Sequence, residues 1–95
     1  MLLMTVKISA KAGQADKLVQ LLKEMAAEGR KEAGMLAYDP YRSVEDADTV
    51  FMYEVYRDQA ALDQHRANVA LEPFRERLMA LLAGAPEVHT WAPAA

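Results

Sequence analysis

Two histidines and no cysteine occur among the 95 residues, so few side chains can exchange a proton near neutral pH and none can act as a thiolate nucleophile or metal ligand. His65 is the more informative of the two. Ala61 lies one turn before it, Leu62 three residues before and Val69 one turn after, a spacing that on a helix puts His65 on the apolar, inward side. A histidine so placed is either a core residue with satisfied ring nitrogens or a base. As a base it can take a proton from an acidic phenol or α-carbonyl carbon, and return it, without a cofactor. Glu54 is the second candidate, the one charged residue in the run Val50 to Tyr56. Buried there alone, its carboxylate would cost several kcal/mol or take up a proton. It therefore needs company: His65, whose tautomer it would fix, a substrate to which it is acid or base, or an arginine such as Arg42 or Arg66.

Around this pair stand residues suited to holding a ligand. Tyr38, Tyr41, Tyr53 and Tyr56 can line a cavity for a planar aromatic molecule and offer hydroxyls to its oxygens, although strand tyrosines are also ordinary packing residues. Phe74 and Trp91 have the same double reading, as ligand contacts or as core and dimer contacts. Lys7 shares a strand parity with Ser9 and can neutralise an oxyanion or a phosphate if it faces inward; otherwise it is solvated.

Several chemistries have no support. The four glycines are isolated, so there is neither a dinucleotide fingerprint nor a phosphate loop. His65 and His89 are far apart in sequence with no His-x-x-x-His or carboxylate–His cluster, and a metal site is not expected. Eleven Lys and Arg against fourteen Asp and Glu give a net charge of −3, the wrong sign for a nucleic-acid partner. The opening Met1-Leu2-Leu3-Met4 is too short for a signal peptide and no run approaches the ~20 residues of a membrane span. Together with the absence of cysteine, this leads us to expect a cytoplasmic protein with no membrane partner.

The elements that must position these residues follow from periodicity. Met4, Val6, Ile8 and Ala10 alternate with Leu3, Thr5, Lys7 and Ser9, the period of a strand. After the turn at Lys11-Ala12-Gly13, Leu18, Leu21, Leu22 and Met25 recur at helical steps, opposite Lys17, Gln20, Lys23, Glu24 and Glu28. This helix is expected to end near Gly34, with Gly34 in the left-handed terminal position and Lys31 in the last turn. Met35–Ser43 and Thr49–Arg57 read as antiparallel strands joined by an acidic loop, and Pro40 restricts its strand to an edge or a bulge. Asp58 is a helix N-cap for a short helix through Asn68; Pro73 opens another, on which Phe74, Leu78, Leu81 and Leu82 share a face. Glu87–Trp91 is a fourth strand. The order is α+β, a ferredoxin-like βαββαβ plan over residues 1–95 in a single domain, with an antiparallel four-stranded sheet carrying its helices on one face.

Strand three is apolar on both parities: Phe51, Tyr53 and Val55 on one, and Val50, Met52 and Tyr56 around Glu54 on the other. The chain's own helices cover one face only, so a second copy is expected to pack sheet against sheet and enclose a cavity, forming a dimeric α/β barrel.

The stretch GMLAYDPYRSVEDADTVFMYEVYRDQAALDQHRA, followed by FRERLMALLAG, resembles the antibiotic biosynthesis monooxygenase (ABM) family. The resemblance is densest from Gly34 to His65, above all in Tyr53-Glu54-Val55-Tyr56 leading through Asp58, Ala61 and Leu62 to His65. It implies a homodimer acting on a small molecule. The family includes cofactor-free oxygenases of polycyclic aromatics, quinol monooxygenases, haem-degrading enzymes and a sugar-phosphate isomerase. Haem-degrading relatives carry an Asn on strand one, a Trp near the position of His65 and a haem-ligating His where this chain has Phe74-Arg75-Glu76-Arg77, so haem is not expected. Trp91, on strand four, does not match the cavity Trp of the polyketide oxygenases. Quinol oxygenases and the isomerase keep a His at the position of His65. The expectation is a cofactor-independent monooxygenase of a quinol or polycyclic phenol, using dioxygen, His65 and Glu54. The alternatives are a proton-transfer isomerase of a small carbonyl or sugar-phosphate compound and a non-catalytic small-molecule-binding dimer.

Overall fold

In the computed structural model, which describes all of residues 1–95, alternation of side chains along the first strand is realised as β1 (Leu2–Ser9), with Met4 and Ile8 buried and Lys7 and Ser9 exposed. The remaining elements are α1 (Ala15–Gly29), β2 (Met35–Arg42), β3 (Thr49–Tyr56), α2 (Gln59–Arg66), a 3₁₀ turn at Val69–Leu71, α3 (Glu72–Leu81) and β4 (Glu87–Trp91). The strands form one antiparallel sheet in the order β2-β3-β1-β4. The ferredoxin-like βαββαβ plan is thus present, with its second helix broken into α2, the 3₁₀ turn and α3. β2 is an edge strand and also carries an irregularity between Met35 and Ala37, so Pro40 sits where a missing donor is tolerated.

The core lies between the sheet and the helices. Leu18, Leu21 and Leu22 of α1 are at most 1% exposed and pack with Ile8, Val50 and Met52 from the sheet; each such side chain contributes roughly 1.5–3 kcal/mol relative to leaving it in water. α3 has no fully buried residue, but Phe74, Leu78 and Leu81 pack against this cluster from its margin. A smaller cluster of Met4, Tyr56, Ala61 and Leu62 fastens α2 to the other end of the sheet. Asp58 caps α2 as expected, its side chain accepting from the Ala61 N–H at 2.9 Å. Asn68 lies beyond the helix and caps the 3₁₀ turn instead.

Three expectations about local structure are corrected. α1 ends at Gly29, so Lys31 lies outside its last turn. Gly34 is not left-handed: the one positive φ belongs to Gly13, at 77° in the turn before α1. Gly34 is needed for close approach, because a Cβ there would run into the Ala61 Cβ of α2, and its carbonyl accepts from the Arg57 N–H at 2.9 Å. Val69 is 72% exposed and does not continue the inward face of α2, since the chain leaves the helix at Ala67.

Only one parity of β3 is fully covered by this chain. Val50, Met52, Glu54 and Tyr56 are 0–3% exposed on the helix side, whereas on the open side Tyr53 keeps 37% of its surface and Trp91, across on β4, 52%. Cross-strand register aligns Ala37, Val55, Leu3 and Trp91 in one row of that open face, and Tyr41, Phe51 and Lys7 in another.

The Gly34 contact makes a direct prediction. Gly34→Ala is expected to destabilise the fold by about 1–3 kcal/mol through overpacking against Ala61, lowering the thermal midpoint. Gly84→Ala, where nothing lies within 4 Å of the added carbon, is expected to stay within about 0.5 kcal/mol. Equal midpoints for the two variants in thermal denaturation would contradict the close approach.

Candidate active site

The helix-side parity of β3 ends in Glu54 and Tyr56, and Tyr38 of β2 is the direct cross-strand partner of Glu54. α2, held by the Asp58 cap and by Ala61 and Leu62, lowers His65 onto this polar end of an otherwise apolar strand face. The His65 ring meets that of Tyr38 edge-on at 5.2 Å and that of Tyr56 at 5.4 Å. All four residues are enclosed, at 0–6% exposure. No side-chain nitrogen or oxygen buried with them lacks a partner.

Hydrogen bonds tie Tyr56 to Glu54 and His65 to Glu32. The Tyr56 hydroxyl donates to Glu54 Oε1. That same oxygen lies 3.7 Å from His65 Nε2, too far for a hydrogen bond. The other ring nitrogen, Nδ1, is 3.0 and 3.2 Å from the two carboxylate oxygens of Glu32, in the turn after α1. Asn68 Nδ2 donates to Glu32 Oε2 at 2.9 Å, and Arg75 of α3 donates to the His65 carbonyl at 2.8 Å.

Enclosure sets the protonation behaviour. Burial pushes the Glu54 carboxyl from 4.5 up to about 7, against the Tyr56 hydrogen bond, which favours its ionised form. Burial lowers His65 below 6.5, and the Glu32 carboxylate opposes that shift. Tyr38 and Tyr56 are both raised, by burial first and then by the Glu54 charge, and stay protonated. A carboxyl that changes state near neutrality, beside an imidazole held neutral, is suited to passing a proton in either direction. Because Glu32 and Glu54 sit at opposite ring nitrogens of His65, the three do not converge on a point that a metal ion could occupy, and no group of three His, Cys, Asp or Glu side chains has such an arrangement.

Of the residues named from sequence, His65, Glu54, Tyr38 and Tyr56 come together here. Phe74 lies on the same side of the sheet, packed at the edge of the main core. Tyr53, Lys7 and Trp91 lie on the opposite face, in rows with Thr5, Phe51 and Leu3, and Trp91 Nε1 donates to Thr5 Oγ1 at 3.0 Å. Tyr41 is also on that face and 56% exposed. Neither arginine proposed for Glu54 reaches it through a salt bridge: Arg42 pairs with Asp16 at 2.7 Å, and the groups nearest Glu54 are Tyr56 and His65. Glu32, Asn68 and Arg75 were not legible as site residues. Glu32 lies in the charged stretch Arg30-Lys31-Glu32, which reads as a solvated helix end, and no local period marks a contact 33 residues away.

The antibiotic biosynthesis monooxygenase family profile matches residues 1–77, and the chain belongs to that family. Its fold is shared with PA3566 from Pseudomonas aeruginosa, at 31% identity and a TM-score of 0.88 over 99% of this chain and 94% of that one. Rv0793 from Mycobacterium tuberculosis is 26% identical with a TM-score of 0.89, over 99% and 95% of the two chains. A crystal structure of an antibiotic biosynthesis monooxygenase at 24% identity superposes with a TM-score of 0.91 over 100% of both chains, a likeness of fold alone. No curated protein matches the sequence. Family membership supports a monooxygenase-like or small-molecule-binding role in general. No helix is long and apolar enough to cross a membrane.

The Glu54 shift has a stability consequence with a definite sign. A carboxyl raised in the folded state contributes stability that is fully present below about 4.5 and is lost as pH rises through about 7. The shift corresponds to roughly 3 kcal/mol at most. His65, shifted down, works in the opposite sense, contributing above 6.5 and losing that contribution on acidification. Glu54→Gln, which cannot ionise, is therefore expected to gain stability on wild type between pH 5 and pH 8. Urea denaturation of both proteins at the two pH values measures the difference; a gap that does not change with pH would contradict a buried titrating Glu54.

Proposed function

We propose that this protein is a cofactor-independent monooxygenase acting on a small hydroxylated aromatic, a quinol or polycyclic phenol, with His65 and Glu54 as its proton-handling groups. The observation that carries the reading is the enclosed pair of His65 Nε2 and Glu54 at 3.7 Å, flanked by the Tyr38 and Tyr56 rings. A substrate O–H placed there loses its proton to Nε2, and the Tyr38 hydroxyl stabilises the phenolate by donating a hydrogen bond, while Tyr56 keeps its own on Glu54. The electron-rich anion then reduces dioxygen directly. One oxygen atom enters the product and the other leaves as water, with the substrate supplying the electrons; a quinol becomes a hydroxyquinone. Water exclusion favours this path, since a dry pocket strengthens each electrostatic contact and protects the anion from reprotonation.

The two surface cavities lie elsewhere: one of about 380 Å³ lined by Lys17, Leu21, Arg77 and Leu81, the other of about 130 Å³ beside Arg42 and Asp48. Access to His65 on this reading therefore requires the helical layer to part over the ring. The same proton pair supports a second reading, an isomerase that moves a proton next to a carbonyl. It is favoured by the near-neutral Glu54, which can return at one carbon the proton that His65 takes from another. A third reading, a ligand-holding dimer without turnover, uses the enclosure alone.

Dimerisation belongs to this proposal. The open face carries Tyr41, Tyr53 and Trp91, each at least 37% exposed, and a second copy packed sheet to sheet would cover them and form a dimeric barrel. Tyr53, Trp91 and Lys7 then serve the interface, on the far side of the sheet from His65.

Oxygen uptake separates the readings. With a quinol substrate, the monooxygenase is expected to consume one dioxygen per product; conversion without oxygen uptake supports the isomerase instead. His65→Ala is expected to lower kcat by about 10²–10⁴-fold, and unchanged conversion would remove His65 from the mechanism. Light scattering at micromolar concentration is expected to give twice the 10.6 kDa chain mass, and a monomer would refute the barrel.

A further inference from the structure

Three segments distant in sequence meet on one carboxylate. Glu32 comes from the turn between α1 and β2, His65 from α2, and Asn68 from the connector leading to the 3₁₀ turn. Both Glu32 oxygens are within 3.2 Å of His65 Nδ1, and Oε2 also accepts from Asn68 Nδ2 at 2.9 Å. The Asn68 amide is fixed from its other end, where Oδ1 accepts the Ala70 N–H at 3.0 Å; this leaves its NH₂ group as the donor and defines which way the amide faces. Arg75 ties down the same stretch by donating to the carbonyls of His65, Arg66 and Asn68. The His65 side chain is 8% and the Glu32 side chain 14% exposed, so water does not compete freely for the contact.

A carboxylate accepts and does not donate. A neutral imidazole facing two carboxylate oxygens through Nδ1 must carry its proton there, and Nε2 is left as a lone pair directed to Glu54. We infer that Glu32, oriented by Asn68, is the positioning residue of this site: it holds the His65 proton on Nδ1 and thereby presents Nε2 as the base on the side of Glu54, Tyr38 and Tyr56. This rests on the reading of His65 as the base, and adds to it the group that selects the tautomer. Without Glu32 the ring can place its proton on Nε2 and donate to Glu54, a state in which it cannot accept a substrate proton at that nitrogen.

The test compares Glu32→Ala, Glu32→Gln, Glu32→Asp and Asn68→Ala with wild type, using the ¹⁵N ring shifts of His65 and the kinetics of quinol conversion. Wild type is expected to show the Nδ1–H tautomer. In Glu32→Ala the Nε2–H form is expected to appear, and kcat to fall about 10–100-fold with little change in KM, because the ring must first change tautomer. Glu32→Asp, which keeps the carboxylate, is expected to recover part of both effects, and Asn68→Ala to show an intermediate loss. The pH at which the base limb of kcat/KM falls is expected to move to lower values in Glu32→Gln, since the neutral amide no longer supports a proton on His65. The other groups facing the ring, Tyr38 from β2, Glu54 and Tyr56 from β3, Arg66 from α2 and Arg75 from α3, are unchanged in that variant.

An Nε2–H tautomer in folded wild type, or a Glu32→Ala protein that keeps its fold and its Nδ1–H signal, would overturn the assignment. If the protein converts no quinol, the catalytic reading of His65 fails while the tautomer measurement still decides the role of Glu32. A purely mechanical cross-link between connector and turn predicts a lower thermal midpoint in Glu32→Ala with the ring tautomer and the pH profile unmoved, and that result too would overturn the proposal.

Discussion

A carboxyl group 3% exposed in the middle of an apolar strand is the constraint on which this structure turns. Taking Glu54 out of water costs several kcal/mol unless the group is neutralised or hydrogen-bonded. The fold answers in both ways: the Tyr56 hydroxyl donates to the carboxylate, and enclosure shifts the carboxyl to change state at about pH 7. Each answer fixes a further part of the molecule. Tyr56 lies two residues along β3 on the same parity, so one strand presents both groups to the same space. His65 can face them only because α2 sits close over the end of the sheet, and α2 gets that close through the Gly34–Ala61 approach.

The sheet separates two roles by parity. On the helix side, β3 moves from Val50 and Met52, packed in the main core, to Glu54 and Tyr56, so the same face is apolar at one end and carries a buried polar pair at the other. On the open side, tyrosines, Phe51 and Trp91 form an exposed apolar surface with a few polar groups between them. A one-residue slip of β3 would exchange the two sets and put a carboxylate where an aromatic belongs. The alternating β1–β3 register from Leu2 opposite Tyr56 to Ser9 opposite Thr49 prevents that slip, because each buried residue on one strand would otherwise lose its neighbour on the other.

Element order, the Asp58 cap, Pro73 in the first turn of α3 and the edge position of the Pro40 strand were legible in sequence because each rests on a local rule of period or backbone chemistry. So was the burial of His65 and Glu54 on apolar faces of α2 and β3. What the sequence left open was which face of the sheet each residue takes. Tyr53, Lys7 and Trp91 read as neighbours of His65 and Glu54, whereas they lie on the open face and that pair meets beneath the helices of a single chain. β3 alone cannot reveal this, since both of its parities are apolar and the side that receives α2 is decided by tertiary packing. Gly34 was assigned to a left-handed helix end for a related reason: its sequence context announces a chain reversal, and only the approach of α2 shows that the missing side chain matters more than the backbone angle.

Charge accounts for why the polar cluster extends beyond His65 and Glu54. A buried and a half-buried carboxylate around a neutral imidazole would leave an excess of negative charge that burial makes costly. Arg75 sits on the carbonyl end of α2, where a cation is favoured by the helix dipole, and its field lowers both Glu54 and His65. The formal charges of Glu32 and Arg75 offset one another, and one proton on either Glu54 or His65 offsets the charge that remains. Glu54 alone would be a trapped carboxylic acid and His65 alone a buried base. Placed 3.7 Å apart within a frame already neutralised by Glu32 and Arg75, they form a site whose proton has two nearby places to reside, and that is the property a reaction beginning with loss of a proton requires.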